Sequence, residues 1–333
     1  MTGPTTDGPN THGSKPPVVD VRQLLDPELR PVLGAFDLPT FDAETIATIR
    51  SSQFPAPELS DAVVRTDHEV PSRVAGDPPV PVRVHRPAGR KGRLPAILTI
   101  HGGGYVIGSY VMDDAMLDRW CPALGIVGVS VEYRLAPETP YPGPLEDCYS
   151  ALYWAHEHAE ELGIDPAFIG TYGVSAGGGL AAALGLLARD RGEVPLAYQL
   201  LDCPMLDDRQ TTPSIGDAGL YLWTAASNDF GWRSYLGARF GTDDIPSYAA
   251  AARSTDVTGL PPTCVVVGSI DGFRDEDVEF AGRLNQAGVP CELHVIAGLP
   301  HAYLLVPAAA AVQLAEHCKE HWLARQLDRR AAR

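Results

Sequence analysis

Gly173-Val174-Ser175-Ala176-Gly177 stands between an apolar run, Phe168-Ile-Gly-Thr-Tyr172, and a stretch of small residues that continues to Ala183. A serine so placed is held where a strand turns directly into a helix. That turn is tight enough that its flanks have room only for glycine, and the serine itself is strained. Free N–H groups at the helix start favour negative charge that develops beside it. The motif thus asks for a strand, a helix and a sheet edge around Ser175, and makes Ser175 the candidate nucleophile.

The rest of the chain supplies that sheet. Strand-like runs fall at residues 62–70, 80–86, 95–100, 126–133, 168–172, 196–203, 263–268 and 291–296. Several are continuously apolar, which suits strands buried on both faces of a mostly parallel sheet. Helical spacing recurs at 145–161, 177–189, 276–286 and 308–326. This alternation predicts a doubly wound α/β architecture of eight strands flanked by helices. The first two runs have no helix between them and are expected to pair antiparallel at one edge. Residues 1–17 are polar and rich in Gly and Pro, so a disordered tail is expected there. Two short helices are expected within 18–60, where prolines interrupt the apolar spacing. Residues 205–254, with Trp223, Phe230, Trp232, Tyr235 and Phe240, are too long for an ordinary connection. They are expected to be helical and to fold with residues 18–60 over the sheet's C-terminal edge. Residues 61–204 and 255–333 then form the α/β body.

His101-Gly102-Gly103-Gly104-Tyr105 follows directly on the third strand. Consecutive glycines let N–H groups point into a cleft unobstructed, and Gly103, Gly104 and Ala176 are the expected oxyanion donors. A phosphate-cradling loop would carry a G-K-[ST] that is missing here. His101 ends a strand and is expected to tie the loop down. A hydroxyl nucleophile needs a base, and the base an orienting acceptor. His12 falls in the tail; His156, His158, His317 and His321 fall on helical patterns; His68, His85 and His294 lie within strands. His301, just past the last strand, is at the edge where such sheets place their sites. Asp271 stands just past the seventh strand by the same logic. The order Ser175, Asp271, His301 is that of α/β hydrolases.

The net charge of −16 repels nucleic acid and anionic membrane surfaces. The start of the chain lacks the apolar core of a signal peptide, and no apolar run reaches 18 residues, so a cytoplasmic location with no membrane partner is expected. Six scattered cysteines, with Cys203, Cys264 and Cys291 in apolar runs, suggest buried free thiols. No metal is expected, because His156 and His158 on one helix point about 200° apart.

These residues carry a resemblance. His101-Gly-Gly-Gly-Tyr105, Val131-Glu-Tyr-Arg-Leu-Ala-Pro-Glu138, Tyr141-Pro-Gly-Pro-Leu-Glu-Asp147, Gly173-Val-Ser-Ala-Gly-Gly178, Asp271-Gly-Phe-Arg-Asp-Glu276 and Pro300-His-Ala-Tyr303 resemble the hormone-sensitive-lipase-like family of microbial esterases. Tyr235-Leu-Gly237 and Gly259-Leu-Pro-Pro262 are family-like too, so the resemblance spans roughly residues 60–325. It implies an α/β-hydrolase fold with a helical lid and hydrolysis of short- to medium-chain acyl esters. It implies no cofactor, and a homodimer joined through the last sheet edge. One departure is Val174, where the family usually has Asp. Tyr105, Tyr221, Trp223 and Phe230 are candidates for lining the substrate pocket, with core packing as the alternative for each. Two other functions use the same residues: an acyltransferase or lactone-opening enzyme of one secondary metabolite, and a non-catalytic binding protein on the same fold.

Overall fold

The computed structural model describes residues 21–33, 35, 40–51, 57–217 and 222–331. Eight strands form one sheet: β1 Val63–Val70, β2 Val80–Pro87, β3 Leu94–Ile100, β4 Val127–Val131, β5 Ile164–Val174, β6 Gln199–Asp202, β7 Thr263–Gly268 and β8 Cys291–Ile296. Their order is β1-β2-β4-β3-β5-β6-β7-β8. The two pairings made by β2 are antiparallel and all others are parallel; the β1–β2 pair at the edge is the one expected of two leading strands with no crossover helix, and the antiparallel β2–β4 pair adds to it. In β3, β4 and β7 nearly every side chain is buried, because helices cover both faces. β8 is different. It is an edge strand, at the opposite side of the sheet from β1, so most of its side chains are half-buried, and Cys291 is not the fully buried thiol its apolar run suggests.

Six helices matter to the site: α1 Asp114–Leu124, α2 Gly143–Glu157, α3 Ala176–Arg191, α4 Ala225–Leu236, α5 Arg274–Gln286 and α6 Ala310–Ala331. One core cluster joins the sheet to α2, α3 and α5. The other joins it to α1 and α6, with Leu25, Leu29 and Leu33 from the N-terminal segment. Sequence periodicity misses α1, which carries Pro122 near its C-terminal end; the ring removes one i→i−4 hydrogen bond, and burial of Leu117, Trp120 and Cys121 offsets that loss. The expected helix at 145–161 is broken at His158 into α2 and a short turn, Ala159–Leu162. β5 begins four residues before its apolar run: Asp165 and Pro166 fall where its register with β3 shifts, and that irregularity absorbs them.

Among its described residues the N-terminal segment has three short helical pieces, Val21–Leu24, Arg30–Leu33 and Ile46–Ser51, where two were expected. Within 205–254 the helical parts are Pro213–Asp217, α4 and single turns at Gly237–Arg239 and Ala251–Arg253; the remaining described residues are irregular. The two regions touch: the Phe41 N–H donates to Ser227 Oγ at 3.0 Å, and the Phe41 and Trp223 rings are 5.1 Å apart.

Candidate active site

Ser175 sits between the end of β5 and the start of α3. A Cβ on Gly173 would lie 2.1 Å from the Gly177 carbonyl oxygen, and one on Gly177 would lie 2.1 Å from that of Ile100. Backbone cannot yield to such contacts, so both positions admit glycine alone. Ser175 itself has φ +57° and ψ −123°, a conformation that costs about 1–3 kcal/mol and needs holding. Its N–H donates to the Asp202 carbonyl at 2.9 Å, and its own carbonyl accepts from Met205 N–H at 2.9 Å.

Asp271 lies three residues past β7 and His301 five past β8, at the same sheet edge. Ser175 Oγ is 2.9 Å from His301 Nε2, and His301 Nδ1 is 2.9 Å from Asp271 Oδ2. A carboxylate only accepts, so Nδ1 carries the proton and Nε2 is left as acceptor for the Ser175 hydroxyl. Asp271 Oδ1 is held by Phe273 N–H at 2.9 Å, and the Phe273 ring stands edge-on to the imidazole. The structure thus brings together the three residues that sequence order selects.

The loop after β3 runs through Gly103 at φ +117°, Gly104 at +59° and Tyr105 at +66°. The Gly103 carbonyl turns away to accept from Val106 and Ile107, both at 3.0 Å. Ala176 opens α3, so its N–H has no acceptor within the helix. His101 anchors the loop from below. Its Nδ1–H donates to the Gly102 carbonyl at 2.8 Å, its ring stacks on Tyr133 at 4.1 Å, and Nε2 is buried with no partner among the described residues. Burial therefore depresses its pKa to about 4, against a slight rise from the Gly102 bond. The sign follows: the unfolded imidazole takes a proton below about 6.5 and the folded one only below about 4, so the contribution of His101 to stability is present above 6.5 and lost as pH falls toward 4. Relative to His101→Gln, the wild type is expected to lose about 3 kcal/mol between pH 7 and pH 4 by urea unfolding. A gap that stays constant with pH would contradict this.

The pocket candidates separate. Tyr105 is core: its ring stacks on Tyr235 at 4.0 Å and its hydroxyl donates to the Met205 carbonyl, so the residue is fully enclosed and its lining role gives way to packing. Trp223 lies against the glycine loop, where a Cβ on Gly104 would meet its ring at 2.2 Å. The Trp223 Nε1–H donates to Asn228 Oδ1, which fixes the indole there. Phe230 is half-buried against the core. Tyr221 lies outside the described residues. Val174, half-buried, brings one methyl and its carbonyl close to Gly102, where an added Cβ would lie 3.4 and 3.0 Å from them. Among the described residues Cys203, Asp271 and His301 form one group with possible ligand atoms within 4.8 Å of one another, although the His301–Asp271 hydrogen bond already engages two of those donors.

Sequence reasoning missed three buried charged residues beside the site. Glu276 accepts from Leu206 and Asp207 N–H at 2.7 and 3.2 Å. Asp202 and Lys319, both fully buried, form an ion pair at 2.6 Å. A signal existed for the latter. Val312, Ala315, Lys319 and Trp322 share one helical face, and a lysine on an otherwise apolar stripe requires a buried partner.

The sheet order, with the nucleophile turn after the fifth strand and the acid and base after the seventh and eighth, is that of an α/β hydrolase. Residues 97–305 match the family described as alpha/beta hydrolase fold, and the chain belongs to that family. It is 33% identical to Carboxylesterase NlhH of Mycobacterium tuberculosis over 300 residues, covering 87% of this chain and 93% of that one. Esterase LipI of the same organism is 34% identical over 240 residues, with 69% and 74% covered. Among solved structures, a bacterial heroin esterase superposes with a TM-score of 0.85 at 40% identity, covering 92% of this chain and 98% of its own. Esterase LipW from Mycobacterium marinum gives 0.81 at 31%, with 92% and 96% covered. The protein is a carboxylic-ester hydrolase of hormone-sensitive-lipase-like type, acting on small-molecule esters. These relatives favour neither the acyltransferase nor the non-catalytic reading. Among the described residues no helix is long and apolar enough to cross a membrane.

Proposed function

We propose that Ser175, His301 and Asp271 carry an acyl-enzyme cycle on short- to medium-chain acyl esters. The reading rests chiefly on the unbroken Ser175–His301–Asp271 line of two 2.9 Å contacts at one sheet edge. His301 takes the Ser175 proton as Oγ attacks the acyl carbon. It then gives that proton to the departing alcohol. A water activated by the same nitrogen frees the acid, while Asp271 holds the imidazole in the needed tautomer. The Gly103, Gly104 and Ala176 amides stabilise the oxyanion, each donor worth about 10²–10³ in rate.

The described residues within 18–60 and 205–254 form the lid, supported by the Phe41–Trp223 and Phe41–Ser227 contacts. Trp223 and Phe230 bound the acyl pocket, and the indole against Gly104 sets its depth. Six free cysteines suit a reducing, cytoplasmic setting. The edge strand β8, with Val295 exposed, suits pairing of two copies. Hydrolysis of p-nitrophenyl esters from acetate to laurate tests the substrate class. The highest kcat/KM is expected among short and medium acyl groups, with Trp223→Ala moving the preference to longer ones. A wild type most active on the longest chain would overturn this reading.

A further inference from the structure

We propose that Asp202, clamped by Lys319, is a positioning residue for the esterase reaction, tying the nucleophile turn to the His301 loop. Asp202 ends β6 and is completely buried. Its main-chain carbonyl receives the Ser175 N–H at 2.9 Å. Its carboxylate receives the Tyr303 hydroxyl at 2.5 Å on Oδ1, and on Oδ2 the Tyr172 hydroxyl at 3.2 Å and Lys319 Nζ at 2.6 Å. Tyr303 stands two residues beyond His301, Tyr172 three before Ser175. One side chain therefore grips the chain on both sides of the Ser175–His301 hydrogen bond.

The following residues extend the grip. Cys203 has φ +38° and places its sulfur within 4.8 Å of the ligand atoms of Asp271 and His301. Met205 N–H holds the Ser175 carbonyl. The segment from Asp202 to Met205 thus meets all three members of the site, and α6 secures it through Lys319. That lysine is also paired with Glu316 at 2.5 Å, which in turn meets Arg119 of α1 at 3.0 Å. Burial opposes the charge of Lys319, but the Asp202 and Glu316 carboxylates outweigh it and push its pKa up to about 12.

Stability alone does not explain such a pair. Replacing buried ion pairs by apolar residues of similar size is often neutral or stabilising, because desolvation offsets the Coulomb gain. Geometry is a better reason: a misplacement of about 1 Å at a reacting centre can cost on the order of 10²-fold in rate. The inference rests on the Ser175 and His301 reading above.

Three variants test it: Tyr303→Phe, Asp202→Asn and Lys319→Met. Each is assayed on p-nitrophenyl acetate for kcat and KM per titrated active site, for the rate of fluorophosphonate labelling of Ser175, and for Tm. Tyr303→Phe and Asp202→Asn are expected to lower kcat about 10- to 100-fold. KM should stay within about twofold, and labelling should slow in parallel. Should Lys319→Met fail to fold, Tyr303→Phe, which removes one hydroxyl, decides. A lowered Tm with kcat and labelling per folded molecule unchanged within about twofold would make the network purely structural and overturn the proposal. Failure of the triad reading has a different sign: labelling of wild type at a residue other than Ser175.

Discussion

Ser175→Ala is expected to lower ester turnover by a factor on the order of 10⁵–10⁶ with the fold intact, leaving the residual rate that oxyanion donors and binding supply. Among the described residues the hydroxyl has one partner, His301 Nε2, and the main chain at the turn is held by Asp202 and Met205 whatever the side chain. Alanine fits that space. Relief of crowding at φ +57° is small beside the lost chemistry, because alanine keeps its Cβ and with it the strain. The check is steady-state turnover of p-nitrophenyl butyrate together with Tm. A large loss of activity with Tm shifted by only a few degrees is the expected pairing.

Asp271→Asn is expected to cost about 10⁴ in kcat, again without unfolding. The amide is nearly isosteric with the carboxylate, and its oxygen can still accept from Phe273 N–H. Its NH₂ would then face His301 Nδ1, and only the tautomer with Nε2 protonated can accept from it. In that tautomer the imidazole has no lone pair toward Ser175 Oγ, so the hydroxyl keeps its proton. KM should change little, because Asp271 is 1% exposed and cannot reach substrate. Loss confined to KM would contradict the assigned role.

Both predictions concern residues that were legible in the sequence, and the reason is local. Ser175, the Gly102–Gly104 loop and His301 are fixed by short-range constraints: glycines where only glycine fits, and positions just past apolar runs. The inner strands β3, β4 and β7 could be read the same way, since burial on both faces writes itself as unbroken apolar runs. What escaped depends on contacts distant in sequence. Lys319 and Asp202 are 117 residues apart, and neither looks exceptional until the fold brings them together. Tyr105 looked like a pocket residue because it borders the glycine loop, yet stacking on Tyr235 turns it into the core. α1 is hidden by Pro122, a breaker whose cost is offset only by the long-range burial of Leu117, Trp120 and Cys121. The insertion around Trp223 has no single period, because it packs against a glycine loop and an N-terminal segment, with no sheet face to impose one.

The most direct test of the whole account is covalent labelling of the wild-type protein with a fluorophosphonate, followed by peptide mass spectrometry. One adduct per chain is expected, on Ser175, appearing in step with the loss of esterase activity and absent from Ser175→Ala. Activity that disappears with the label on another residue, or that survives full modification of Ser175, would contradict it.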